Sequence, residues 1–227
     1  MYKTYRIIII LILIISPFSV NAHVQHYKDL EHVEFDIYRN NKHIGEHIFS
    51  FTKSNEQISI KSEINFIIKK FGLVLYKYHV KGKEVYKDGK LIKFNSKTNQ
   101  NGKEKYVNMI LESEEYNIDG SSYQGKAPID YFLGTWWNHS IIKAPAQISA
   151  VSGRLINQKV TFLGKEVIKI GKKTYDALHF NFSSTDKKLS KGKRLNTDVW
   201  YEEKTLNWIK AFFKKKGSWE YKLVTIK

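Results

Sequence analysis

Val33-Glu34-Phe35-Asp36-Ile37-Tyr38 sets three apolar residues at alternate positions, with Asn40-Asn41 two residues beyond. A period of two puts successive side chains on opposite faces of an extended chain, and an Asn pair supplies the tight turn of a hairpin. The return strand runs through Ile44, Ile48 and Phe51, and a further turn follows at Ser54-Asn55. Ile58, Ile60, Ile64 and Phe66 then share one face, with Lys61, Glu63 and Asn65 on the other.

The same rhythm extends outward from this hairpin. Val74, Tyr76, Tyr78 and Val80 lead to a turn at Asp88-Gly89, Ile92 and Phe94 lead to Asn101-Gly102, and Val107, Met109 and Leu111 return toward Asp119-Gly120. Which face of Tyr76 to Val80 points inward stays open, because both carry aromatic or apolar residues. Strand patterning resumes at Val160–Leu163, Val167–Ile170, Leu178–Phe182, Asp198–Tyr201, Trp208–Phe213 and Trp219–Val224. The Lys187–Lys193 tract reads as a solvated hairpin loop.

Residues 121–157 break the pattern, punctuated by Pro128, Gly134, Pro145 and Gly153. They read as loops around one or two short helical turns, starting near Pro128. No repeat of 20–50 residues is visible, which argues against a propeller or solenoid. The fold expected is mainly β: a large antiparallel curled sheet, barrel or half-barrel, with a short helical or loop segment near 126–150. About ten strands in one sheet must curl or close to avoid long exposed edges.

The N-terminus has the form of a secretory signal: Lys3 and Arg6, then the apolar run Ile7–Ile15, then Val20-Asn21-Ala22. The expectation is cleavage after Ala22, export to the periplasm and a single domain over 23–227. The whole chain carries a formal charge of +16. Residues 1–22 hold two cations and no acid, so the mature form keeps about +14. Export removes nucleic acid as a partner and leaves anionic envelope surface, which attracts a basic protein by the same screened Coulomb force. Cysteine is absent, so burial of thirteen Phe, fourteen Tyr and five Trp must stabilise the fold.

Chemistry has few footholds. A mature N-terminal His23 offers an amine and an imidazole to copper, with His43, His47, His79 or His179 as a third ligand. No spacing supports that set, and no cofactor is expected. His43 and His47 share a strand side but stand about 13 Å apart, and both read as surface residues. Asp130, His139 and Ser140 lie close in sequence, yet no nucleophile elbow and no phosphate-binding glycine loop accompanies them. The aromatic cluster Tyr131, Phe132, Trp136 and Trp137 is the stronger signal. Two adjacent Trp rings do not both bury on one strand face, so one of them lines a groove for an apolar or sugar-like ligand, or the segment plugs the sheet as its core.

Several short motifs carry a family resemblance: Phe35-Asp36-Ile37-Tyr38 with Ile44-Gly45-Glu46-His47, Thr135-Trp136-Trp137-Asn138, Val151-Ser152-Gly153, Asp198-Val199-Trp200-Tyr201, Leu206-Asn207-Trp208-Ile209 and Trp219-Glu220-Tyr221. Together they resemble a family of exported Gram-negative bacterial proteins known only as a domain of unknown function. That resemblance implies a periplasmic location and a mostly antiparallel sheet, with no catalytic residues to carry over. The functional expectation is a carrier whose sheet shelters a lipid-like envelope ligand lined by Tyr131, Phe132, Trp136 and Trp137. Its alternative is an envelope interaction protein that holds anionic polymers on its wet face, and an enzyme is the third reading.

Overall fold

The computed structural model describes residues 27, 29–54 and 56–227. The signal segment and His23 lie outside the described residues. The first half is a meander: β1 (His32–Arg39), β2 (Lys42–Ser54), β3 (Gln57–Lys70), β4 (Leu73–Lys87), β5 (Lys90–Gln100), β6 (Lys103–Glu112), β7 (Glu115–Gly120) and β8 (Tyr123–Pro128). The second half comprises β9 (Phe132–Leu133), β10 (Ala146–Ile148), β11 (Leu155–Ile170), β12 (Lys173–Ser184), β13 (Asn196–Glu202), β14 (Trp208–Lys214) and β15 (Ser218–Ile226). A 3-10 turn covers His139–Lys143.

All fifteen strands form one sheet in the order 8-7-6-5-4-3-2-1-15-14-13-12-11-10-9. The two meanders are joined where β1 pairs antiparallel with β15, and every other neighbouring pair is antiparallel except β9 with β10. The sheet curls without closing, and its two outermost strands, β8 and β9, are consecutive in the chain.

Turn chemistry explains the meander. Asn40-Asn41, Asp88-Gly89 and Asn101-Gly102 all place both central residues at positive φ, between 49° and 87°. That is the type I′ geometry whose twist matches paired strands, and Asn, Asp and Gly adopt it most easily. Asp119-Gly120 does not make the expected turn, because Gly120 ends β7 and the chain reverses at Ser121-Ser122. A Cβ on Gly120 would stand 2.7 Å from the Ser152 carbonyl oxygen, so this glycine serves close packing of residues 149–153 on the strand.

The irregular segment is shorter than its composition indicates. Tyr123–Pro128 is strand β8, so helical structure begins at His139 and not near Pro128. Pro128 fits there because an edge strand needs no ladder bond from the missing N–H.

Residues 129–154 fold into the concave face and fill it. The core is continuous from Phe35, Phe49 and Ile60 through Phe94, Met109 and Ile118 to Trp137, Ile141 and Tyr201. No helix among the described residues is long and apolar enough to cross a membrane.

Candidate functional site

The Trp pair decides how the inserted segment sits. Trp136 has φ +59°, a conformation that bulky residues rarely adopt, and it throws the two indoles in different directions. Trp137 is 4% exposed, with Tyr27, Phe51 and Tyr86 edge-on around it at centroid distances of 5.3–5.6 Å. Its Nε1–H donates to both carboxylate oxygens of Glu84 at 3.0 Å, and the Tyr86 hydroxyl donates to the same carboxylate at 2.8 Å. Burial outweighs these donors and pushes the Glu84 carboxyl up to about 7. Further bonds fix the segment: the Tyr201 hydroxyl donates to the Trp136 carbonyl at 2.9 Å, the His139 N–H to the Tyr27 hydroxyl at 3.0 Å, and the Ser96 hydroxyl to the Ala150 carbonyl at 2.6 Å.

The four aromatic residues singled out by sequence are therefore not brought together in one cavity. Tyr131 and Phe132 line a recess of about 270 Å³ with Tyr86, Leu91, Tyr116 and Ile129. Trp136 lines a separate cavity of about 220 Å³ with His47, Val80, Phe94, Ala150 and Tyr221. Trp137 is packed core.

His47 differs from its expected surface place. The pairing skips Ile44, since Ile37 faces Gly45 while Tyr38 faces His43, and this bulge inverts the alternation between the two histidines. His43 stays outside on Asp36 at 3.0 Å, whereas His47 is 5% exposed among Phe35, Phe49, Trp208 and Tyr221. Its Nδ1 and the Trp136 Nε1 have no hydrogen-bond partner among the described residues. Burial pulls the imidazole down to about 3, so it is neutral.

His79 and His179 are held on the outer surface. His79 contacts Glu63 at 2.6 Å, and His179 contacts Glu166 at 3.0 Å while stacking on Trp200. No cluster of three or more His, Asp or Glu able to hold a metal ion is found among the described residues. Asp130 is exposed while His139 is buried against Tyr201.

A larger concavity lies at the end of the sheet where β1, β3 and β14 finish and β4 and β15 begin. Its volume is about 760 Å³. Phe66 and Ile68 of β3, Tyr76 and Tyr78 of β4, Phe213 of β14, and Trp219 and Tyr221 of β15 form its wall, with Arg39, Lys215 and Lys216 at the rim. The rings make an ordered surface: Phe66 stacks on Tyr78 at 4.7 Å, Phe213 on Trp219 at 5.8 Å, and Phe66 meets Trp219 at 5.3 Å and 66°. The Arg39 guanidinium lies 5.7 Å above the Trp219 ring and donates to the Lys216 carbonyl at 2.5 Å. Desolvation, then the neighbouring charges of Arg154, Lys105 and Lys216, lower the affinity of Lys215 for its proton. The rim is thus crowded with cations. Tyr221 also lines the cavity of His47 and Trp136, so it stands between the two spaces.

The pouch is not legible in the sequence because β1, the β3–β4 hairpin and the β14–β15 hairpin, far apart in the chain, all contribute to it. A second concavity of about 770 Å³ runs over Lys61, Lys81, Lys83 and Lys97, with Glu63 and Glu104 among them.

Comparison with known proteins agrees with this architecture. Residues 35–224 match the profile of DUF6134, a domain of unknown function. The chain belongs to the DUF6134 family. The fold of this DUF6134 domain is similar to the crystal structure of a β-barrel-like protein of domain of unknown function DUF1849 from Brucella abortus. That match has a TM-score of 0.60 and 12% identity, covering 87% of this chain and 97% of the other. No curated protein matches the sequence.

Proposed function

We propose that this domain is a periplasmic carrier that shelters the apolar part of an amphipathic, anionic, lipid-like ligand in the pouch between β3–β4 and β14–β15. The observation that carries the reading is the pairing of an aromatic wall with a cationic rim in a space of about 760 Å³, a size typical of small-molecule sites. The wall removes hydrocarbon from water, and Arg39, Lys215 and Lys216 meet a carboxylate or phosphate head at the mouth. Export with cleavage after Ala22 belongs to the same proposal, as does contact of the basic exterior with anionic envelope surface.

The pouch favours a carrier over a protein that only grips polymers on its outer face, because the outer concavity mixes acids with its lysines while the pouch rim does not. Titration with a fluorescent fatty acid tests the reading. Binding is expected to saturate at one probe per chain and to weaken about tenfold in Trp219→Ala. A wild-type protein that does not bind the probe, or a variant that binds it equally well, would contradict the proposal.

A further inference from the structure

The strand register leaves one hairpin standing clear of the sheet. The last residue of β3 paired with β2 is Phe66, opposite Gly45, and the first residue of β4 paired with β5 is Tyr78, opposite Gln100. Residues 67–76 are therefore paired only with each other, as a two-stranded ribbon beyond those ladders and beyond Lys77, whose carbonyl accepts from the Asn101 N–H; such a ribbon is only marginally stable by itself in water.

The projecting end is apolar on both faces. Phe71 is 92% exposed, Leu73 70%, Leu75 53% and Val74 46%. Its turn is Phe71-Gly72, with φ of 49° and 77°, the conformation that Asn-Asn, Asp-Gly and Asn-Gly occupy in three other hairpins. A Phe placed there gains nothing from the turn and nothing from burial within the chain, an outlier that points to a use outside it.

Charge identifies the occupant. Lys69, Lys70 and Lys77 flank the apolar tip, and the Lys70 ammonium lies 5.3 Å over the Phe71 ring. The cationic pouch rim is at the same end of the sheet. Turns at the opposite end mix the two signs, with Glu56, Asp88, Glu114 and Glu203 beside Lys87, Lys90, Lys172 and Lys204. An apolar tip ringed by lysines matches an anionic bilayer, whose interface takes aromatic and aliphatic side chains while its headgroups hold cations. A second copy of the same end would meet it with like charge.

We infer that the β3–β4 hairpin is a membrane-docking finger, which seats Phe71 and Leu73 in the interface of an anionic bilayer. Leu75 lines the pouch as well as the finger, so docking sets the pouch mouth against the lipid. The inference deepens the carrier reading by naming the surface at which ligand is exchanged, and its test reads docking separately.

The test is co-sedimentation with phosphatidylglycerol vesicles and with phosphatidylcholine vesicles. Wild-type protein is expected to bind the first, to release as salt rises, and to bind the second far less. Phe71→Asn combined with Leu73→Ser is expected to weaken binding about tenfold or more. Asn suits the turn, so the variant's thermal midpoint is expected not to fall, which separates lost docking from lost folding. Fatty-acid binding without vesicles is expected to be unchanged in this variant, so a failed carrier reading and a failed docking reading give different results. Equal vesicle binding by variant and wild type would overturn the inference. So would failure of the wild type to bind either vesicle, or self-association in vesicle-free buffer that the variant abolishes.

Discussion

Glu84→Gln is expected to make the protein more stable above neutral pH and to change little in acid. In the folded chain burial pushes the Glu84 carboxyl up to about 7, from an ordinary 4.5. An acid raised in this way keeps its proton in the folded state where the unfolded chain has lost it, so the group costs nothing below about pH 4.5. Stability then falls as pH rises toward 7 and stays lowered above it. That gap, at about 1.4 kcal/mol per pH unit, gives a penalty of roughly 3 kcal/mol. Glutamine removes the charge and keeps an oxygen for the Trp137 Nε1–H. The assay is urea unfolding followed by tryptophan fluorescence at about pH 5 and about pH 8. The expected difference between variant and wild type is under about 1 kcal/mol at the lower pH and about 2–3 kcal/mol in favour of glutamine at the higher. A difference of equal size at both would refute the argument that burial dominates this site.

His47→Leu tests the opposite sign. The folded imidazole is held near 3 against an ordinary 6.5, so the wild type loses stability as pH falls from about 6.5 toward 3, and the variant's acid unfolding midpoint is expected to be lower. Gly45→Ala is expected to cost roughly 3 kcal/mol in urea unfolding, because its Cβ would meet the Asn65 carbonyl oxygen at 2.0 Å and Phe66 Cβ at 2.5 Å. A loss under about 0.5 kcal/mol would show that β2 and β3 part easily at that point.

The meander was legible because two local signals agree along it. Alternation fixes strand faces, and Asn40-Asn41, Asp88-Gly89 and Asn101-Gly102 carry residues that tolerate the positive φ of a hairpin turn. The Phe71-Gly72 turn was not read, since Phe is foreign to that position and the lysines before it resemble a solvated edge. Glu84 lies in Lys81-Gly82-Lys83-Glu84-Val85, where composition points to solvent. Only the insertion of Trp137 against the sheet buries it. His47 escaped because one bulged residue inverts a face, and nothing in the sequence marks Ile44 as that residue. The central segment read either as a ligand groove lined by its aromatic residues or as the filling of the sheet, and in the fold its rings serve three different spaces. The pouch itself is a product of topology: Phe66 and Trp219 meet only because β1 pairs with both β2 and β15.

Native mass spectrometry of protein purified from its own compartment, repeated after organic extraction, tests the carrier claim most directly. One lipid-like adduct per chain is expected in the wild type and in Tyr131→Ala, and none in Phe213→Ala or Trp219→Ala. Protein that arrives empty, or an adduct that survives the pouch variants and disappears in Tyr131→Ala, would contradict it.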